Sequence, residues 1–160
     1  MERVNRILSH PQYKACLNKI AEYEKDRIFC GHDMGHLLDV ARLAWIFCLE
    51  QRLDIEKERV YAAALLHDIG RHIQYENGTP HQLAGLPIAQ EIMEDCGFAQ
   101  QEMQEILEAI GSHRDVNVKE QKDLSGVLYC ADKVSRSCFG CEAKQECDWS
   151  REKKNLEIMY

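Results

Sequence analysis

The chain has 160 residues, of which 45% are hydrophobic, and a formal net charge of −7. That length suits one domain around one core, and the composition excludes a disordered chain. The apolar stretches are too short to span a membrane, and an acidic balance with Lys and Arg spread along the chain argues against a surface for duplex nucleic acid. A local basic pocket for a single phosphate remains open. The N-terminal Met-Glu-Arg-Val-Asn-Arg-Ile-Leu-Ser-His has no apolar run of a signal peptide, so a cytoplasmic location is expected. In that compartment the eight cysteines favour metal ligation or free thiols over disulfides.

Only three prolines occur, and no segment alternates with period two, so the chain reads as all-α. The expected architecture is a single helical bundle of about six to seven helices. Pro11 opens a first helix that runs to about Phe29. Gly31-His32-Asp33 breaks it, and Asp33 caps a second helix from about Met34 to Arg52. Its apolar face is Leu37, Val40, Ala41, Ala44, Trp45 and Cys48, at three- and four-residue steps. Asp54 caps a third helix ending near Gly70, a residue suited to a left-handed terminus. Gln74–Pro80 reads as a polar loop. A fourth helix covers His81 to Cys96, starting near Gly85 or kinked by Pro87. Gln100–His113 forms a fifth helix and Asp123 to about Cys138 a sixth. Cys16, Cys48 and Cys96 lie in apolar helical patterns and are expected to pack as small hydrophobes. Residues 1–137 form the domain, and 138–160 a short Cys-rich tail.

The chemistry concentrates at His67-Asp68, which closes the apolar run Val60-Tyr61-Ala62-Ala63-Ala64-Leu65-Leu66. Burying such a pair is costly unless a partner offsets the desolvation. A divalent metal does so, and a hydrogen-bonded structural pair is the alternative. Other histidines mark helix boundaries: His36 in the first turn of the second helix, His81 at the start of the fourth, His113 at the end of the fifth. Asp132 sits in the apolar run Leu128-Tyr129-Cys130-Ala131 and also needs a partner. His32 belongs to the turn or a pocket rim, while His10 and His72 read as ordinary polar residues.

The order His36…His67-Asp68…Asp132 resembles the HD superfamily of metal-dependent phosphohydrolases. The local wording is similar too: His-Leu-Leu-Asp-Val-Ala-Arg-Leu-Ala, Ala-Ala-Leu-Leu-His-Asp-Ile-Gly-Arg and Tyr-Cys-Ala-Asp-Lys-Val, within residues 30–137. The resemblance implies an all-α fold in which His36, His67, Asp68 and Asp132 hold a metal. His81 and His113 resemble the extra pair of the two-metal subgroup, and Asp68 would then bridge two ions. Four histidines and two aspartates suit iron, manganese, zinc or nickel better than magnesium. In that reading a hydroxide between two ions about 3.5–4 Å apart attacks phosphorus, with Asp68 orienting it. Arg71 and Lys133, and further out Arg136 and Arg114, are candidates to grip phosphate oxygens. The expected substrate is a nucleotide or another small phosphorylated molecule. A non-catalytic metal- or ligand-binding module and a di-iron oxygenase are the competing readings.

The tail carries Cys138, Cys141 and Cys147 in a C-x2-C-x5-C pattern. C-x2-C suits a corner of a structural zinc or iron–sulfur site, with a disulfide or free thiols as alternatives. Three cysteines leave such a site one ligand short. If the sixth helix continued to Cys138, Cys130 would lie about 12 Å away along its axis, so the fourth ligand is expected from elsewhere, from Asp148 or from solvent.

Overall fold

A computed structural model describes residues 1–160. The chain is all-α, with nine helices and four short 3-10 turns. They are α1 (Glu2–Ser9), α2 (Pro11–Glu24), α3 (Met34–Gln51), α4 (Lys57–Leu66), α5 (Arg71–Asn77), α6 (His81–Ala84), α7 (Leu86–Cys96), α8 (Gln100–Ser112) and α9 (Leu124–Val134). No helix is long and apolar enough to cross a membrane.

The centre is a ring of four helices: α3 packs on α4 and α9, and α8 packs on α9 and α4. α4 carries the most deeply buried segment, because Val60 and Ala62–Leu66 are all inaccessible to solvent. The small residues Ala62, Ala63 and Ala64 let neighbouring helices approach from several sides at once. α9 starts where Asp123 caps it, accepting from the Gly126 N–H at 3.0 Å. α3 starts in the same way, with Asp33 accepting from the His36 N–H at 2.9 Å. These caps fix the registers that carry His36 and Asp132. Cys16, Cys48 and Cys96 are buried in the apolar core.

Several boundaries differ from the sequence expectation, each for a local reason. Residues 2–9 form a helix of their own that buries Val4 and Ile7. His10, forced extended by the following proline (φ −64°, ψ 129°), separates it from α2. α2 stops at Glu24 rather than Phe29, because the chain turns back and the Glu24 carboxylate accepts from the His32 N–H at 2.8 Å. α4 begins at Lys57 behind Glu56, so Asp54 is not its cap. Most of the expected Gln74–Pro80 loop is helical: α5 reaches Asn77 and ends on Gly78 at φ 81°, whose N–H donates to the Gln74 carbonyl at 2.9 Å. The expected fourth helix is split at Gly85 into α6 and α7. α9 ends at Val134, four residues short of Cys138.

Gly70 is not left-handed. It has φ −82° and stands at the start of α5. Its lack of a side chain serves close packing instead, since a Cβ there would lie 2.4 Å from the His81 carbonyl oxygen and 2.5 Å from the Gly85 nitrogen. The Gly70–Gly85 crossing brings α6 against the turn that follows α4.

Candidate metal centre

The ring of helices converges on Asp68, which is 3% exposed. Its two carboxylate oxygens face different histidines. Oδ2 lies 3.1 Å from His67 Nε2 and 3.5 Å from His36 Nε2. Oδ1 lies 3.1 Å from His81 Nε2 and 4.0 Å from His113 Nε2. Asp132 approaches from α9, with Oδ1 3.7 Å from His36 Nε2 and 3.9 Å from His67 Nε2. The six residues named from the sequence are thus brought together from α3, the α4–α5 turn, α6, the end of α8 and α9.

The outer nitrogens of these rings are tied down. His67 Nδ1 pairs with the Ala64 carbonyl and His113 Nδ1 with the Ile110 carbonyl, each at 2.7 Å. His81 Nδ1 meets Gln74 Oε1 at 2.5 Å. An imidazole that donates from Nδ1 presents Nε2 as a lone pair, the form a metal requires. The Nε2 atoms of His36 and His67 are buried and have no hydrogen-bond partner, an arrangement that is costly unless a ligand occupies them. His36, His67 and Asp132 form one group whose ligand atoms lie within 4.8 Å of one another, and His67, Asp68 and His113 form another. The donor set therefore fits a divalent transition metal on either side of Asp68.

Electrostatics divide the histidines: burial lowers His67, but the facing Asp68 and Asp132 outweigh it and raise it, so a metal there would have to displace a proton. Burial pushes the carboxyls of Asp68 and Asp132 up, but His67 and the other facing groups outweigh it and hold both well below the usual range. Burial lowers His81, and it lowers His113 to about 3, with the charge of His67 adding to it. These two rings, whose Nε2 atoms are 3.1 Å apart, are thereby kept neutral, as ligands must be.

Among the candidate phosphate-gripping residues, Arg71 Nε is 3.1 Å from Asp68 Oδ1. Lys133 Nζ pairs with Asp132 Oδ2, and Arg136 lies 3.6 Å from Asp132 Oδ1. All three line a cavity of about 790 Å³ beside the histidines, and Arg114 lines it as well. Nine of the chain's 20 Lys and Arg residues border this one cavity, against three acidic residues. Their clustering was invisible along the sequence, where they read as scattered.

Two groups carry more weight than sequence reasoning assigned them. His32, only 7% exposed, places Nε2 3.8 Å from Asp68 Oδ2. Its Nδ1 pairs with Glu24, which also accepts from Tyr75 Oη at 2.6 Å. A Glu24–His32–Tyr75 triad thus braces the rim of the site. Its sole sequence signal is the His32-x3-His36 spacing; Glu24 and Tyr75 lie in other helices and give none. His72, expected to be ordinary, is buried, with Nδ1 on the Ile69 carbonyl at 3.1 Å. His10 caps α2 and meets Asp95 at 3.1 Å.

The triad has a pH signature. Burial raises the Glu24 carboxyl, but its bonds to His32 and Tyr75 prevail and lower it from 4.5 to about 2. A carboxylate with a depressed folded-state pKa contributes stability above its unfolded value and loses that contribution as pH falls through the folded one. Glu24→Gln is expected to destabilise the protein at neutral pH by about 1–3 kcal/mol, and the deficit should shrink between pH 4.5 and about 2. Urea titrations of both proteins across that range check it; a deficit independent of pH would contradict the assignment.

Known proteins complete the description. The family model described as HD domain matches residues 34–137. An uncharacterized protein of Clostridium beijerinckii is 42% identical over 160 residues, the full length of both chains. Ribonuclease Y of Mycoplasma mycoides subsp. mycoides is 33% identical over 104 residues, 65% of this chain but 18% of that protein. Ribonuclease Y of Acetivibrio thermocellus is 29% identical over 127 residues, 79% of this chain and 21% of its own length. The chain thus spans about a fifth of these ribonucleases. The crystal structure of a predicted HD superfamily hydrolase from an uncultured Thermotogales bacterium superposes with a TM-score of 0.62 at 24% identity, covering 91% of this chain and 83% of that one. The fold, the ordered histidines and aspartates and the match over residues 34–137 agree: this chain belongs to the HD domain family.

Proposed function

We propose that the protein is a metal-dependent phosphohydrolase that cleaves a phosphoester or phosphoanhydride of a nucleotide or similarly small phosphorylated molecule. The observation that carries this reading is the basic cavity in an acidic chain, lined by Asp132 and His113 of the candidate ligands and by Arg71, whose Nε is 3.1 Å from Asp68 Oδ1. Its volume of about 790 Å³ falls in the range of small-molecule sites. Relatives named Ribonuclease Y support chemistry at phosphorus.

His36, His67, Asp68 and Asp132 would hold one metal, and Asp68 with His81 and His113 a second, drawn from iron, manganese, zinc or nickel. A divalent metal there supplies an acidified water and neutralises phosphoryl charge. The protein's own groups do the rest. Arg71 and Lys133, each paired with a ligand carboxylate, lie where they bind non-bridging oxygens of the substrate. Arg136 is held between Asp132 and the Trp149 ring, with its guanidinium 4.2 Å from the ring centre, and faces the same space. A single basic pocket in an otherwise acidic chain suits a small substrate rather than a duplex.

The test is direct. Protein loaded with iron or manganese is offered a chromogenic aryl phosphodiester and a panel of nucleotides, with and without excess chelator. Metal-dependent release of phosphate or nucleotide product is expected. A charge-assisted hydrogen bond is worth about 1.5–3 kcal/mol, so Arg71→Ala should raise KM about 10–150-fold for the favoured substrate. Failure to cleave any phosphoester, or cleavage indifferent to chelator, would overturn the reading.

A further inference from the structure

Residues 138–160 fold back over the cavity rather than trailing away. They contain no α-helix, only three 3-10 turns, and their only buried residues are Cys138 and Ala143. The tail cysteines do not gather as a metal corner, since the groups of three candidate ligand atoms within 4.8 Å of one another are the two at the His/Asp site. The tail builds a wall instead. Ten of the 25 residues that line the cavity of about 790 Å³ belong to it, although the HD family match ends at residue 137.

Two tail side chains close on one residue, Arg136. The Trp149 ring lies against its guanidinium, with 4.2 Å between the ring centre and the guanidinium carbon. Asn155 Nδ2 donates to the Arg136 carbonyl at 3.0 Å and to the Lys133 carbonyl at 2.8 Å. α9 ends at Val134, so these carbonyls stand at a helix terminus, where backbone acceptors lack an intrahelical donor. Asn155 thereby fixes the backbone from which Arg136 projects, and Trp149 fixes its head. Lys154 ties the two tail segments together, because its Nζ donates to the Lys144 and Cys147 carbonyls at 3.2 and 2.9 Å.

Held in this way, Arg136 has donors to spare. Its side chain is 14% exposed, and the Asp132 Oδ1 that attracts it is 3.6 Å away, beyond hydrogen-bond reach. Arg71 and Lys133 differ, since each donates to a ligand carboxylate. A guanidinium carries five N–H groups in a planar fork, and covering one face with an indole fixes that plane. Bordering the cavity, such a fork suits two oxygens of one phosphoryl group.

We propose that Trp149 and Asn155 are positioning residues of the substrate site: they hold the Arg136 guanidinium in the plane in which it grips phosphoryl oxygens, so that the tail carries part of the phosphate recognition. The proposal rests on the reading that phosphoryl groups bind in this cavity, and it does not require that they be hydrolysed.

Inorganic phosphate is titrated by calorimetry into manganese-loaded wild type, Arg136→Gln, Trp149→Ala, Trp149→Phe, Asn155→Ala and the double variant Arg136→Gln/Trp149→Ala. Trp149→Ala should weaken phosphate binding about 3–30-fold, the range of a cation–π contact, and Asn155→Ala about 2–10-fold, that of a hydrogen bond. Trp149→Phe keeps an aromatic face and should recover most of the loss. Because Trp149 acts through Arg136, the double variant should bind no more weakly than Arg136→Gln alone. With a cleavable phosphoester, Trp149→Ala should raise KM by the same factor and leave kcat nearly unchanged. Wild-type affinity in Trp149→Ala, additive losses in the double variant, or no phosphate binding by the wild type overturns the proposal. The expected coupling in a protein that cleaves no phosphoester supports the positioning role and overturns the hydrolase reading alone.

Discussion

Asp68→Ala is expected to lower bound metal at the His/Asp site below one ion per chain and to reduce hydrolysis by well over the ~10–100-fold typical of disturbing a group behind a ligand. The reason is the division of labour between its oxygens. Oδ2 faces His36 and His67, while Oδ1 faces His81 and His113. No other carboxylate reaches both sets, since Asp132 approaches only His36 and His67. Removing Asp68 therefore damages both halves at once and leaves Arg71 without its partner at 3.1 Å. His81→Ala is the companion variant. It should cost only the ion on the Oδ1 side and leave that held by His36, His67, Asp68 and Asp132. Elemental analysis beside turnover separates the two outcomes. Full metal content in Asp68→Ala would refute the bridging role.

Gly70→Ala should be one of the two most damaging glycine-to-alanine changes in the chain, beside Gly126→Ala, whose Cβ would meet the Gln121 carbonyl oxygen at 2.1 Å. The Cβ added at Gly70 would meet the His81 carbonyl oxygen at 2.4 Å, the Gly85 nitrogen at 2.5 Å and the Gly85 Cα at 2.9 Å. All three are backbone atoms, so no side chain can swing aside, and α6 must move. Overpacking of this kind costs about 1–3 kcal/mol or more. α6 carries His81, whose Nε2 is 3.1 Å from Asp68 Oδ1, and a shift of ~1 Å at a reacting centre can cost about 100-fold in rate. Loss of stability and loss of metal on the Oδ1 side are therefore expected together. Gly111→Ala is the contrast. It sits within α8, where a Cβ meets only the Leu86 methyls at 3.9 Å, and replacing a helical glycine by alanine gains roughly 0.5–1 kcal/mol. Urea denaturation should show opposite signs for the two substitutions. Equal effects would mean that the Gly70–Gly85 crossing is not tight.

The candidate ligand residues were legible because each stands in a local context that a linear reading detects. His67-Asp68 ends a run of buried small and branched residues, Asp132 interrupts another, and His36 follows a capping aspartate. Helix existence was legible for the same reason, since apolar periodicity is a property of neighbours in sequence. Boundaries were less so. The expected helix through Phe29 ends at Glu24 because that carboxylate is taken by His32, and the expected left-handed Gly70 is instead a contact point for a helix eleven residues on.

By itself the sequence determined the all-α class, the caps Asp33 and Asp123, and the family pattern His36, His67, Asp68 and Asp132. These depend on spacing and on the cost of burying polar groups, which act within a helix or a turn. Tertiary structure decided which charges meet. It gathered nine scattered basic residues around one cavity and joined His32 and Tyr75 through Glu24. Such groupings arise where distant segments return to the same place, and chain return is governed by the packing of the whole core rather than by any local pattern.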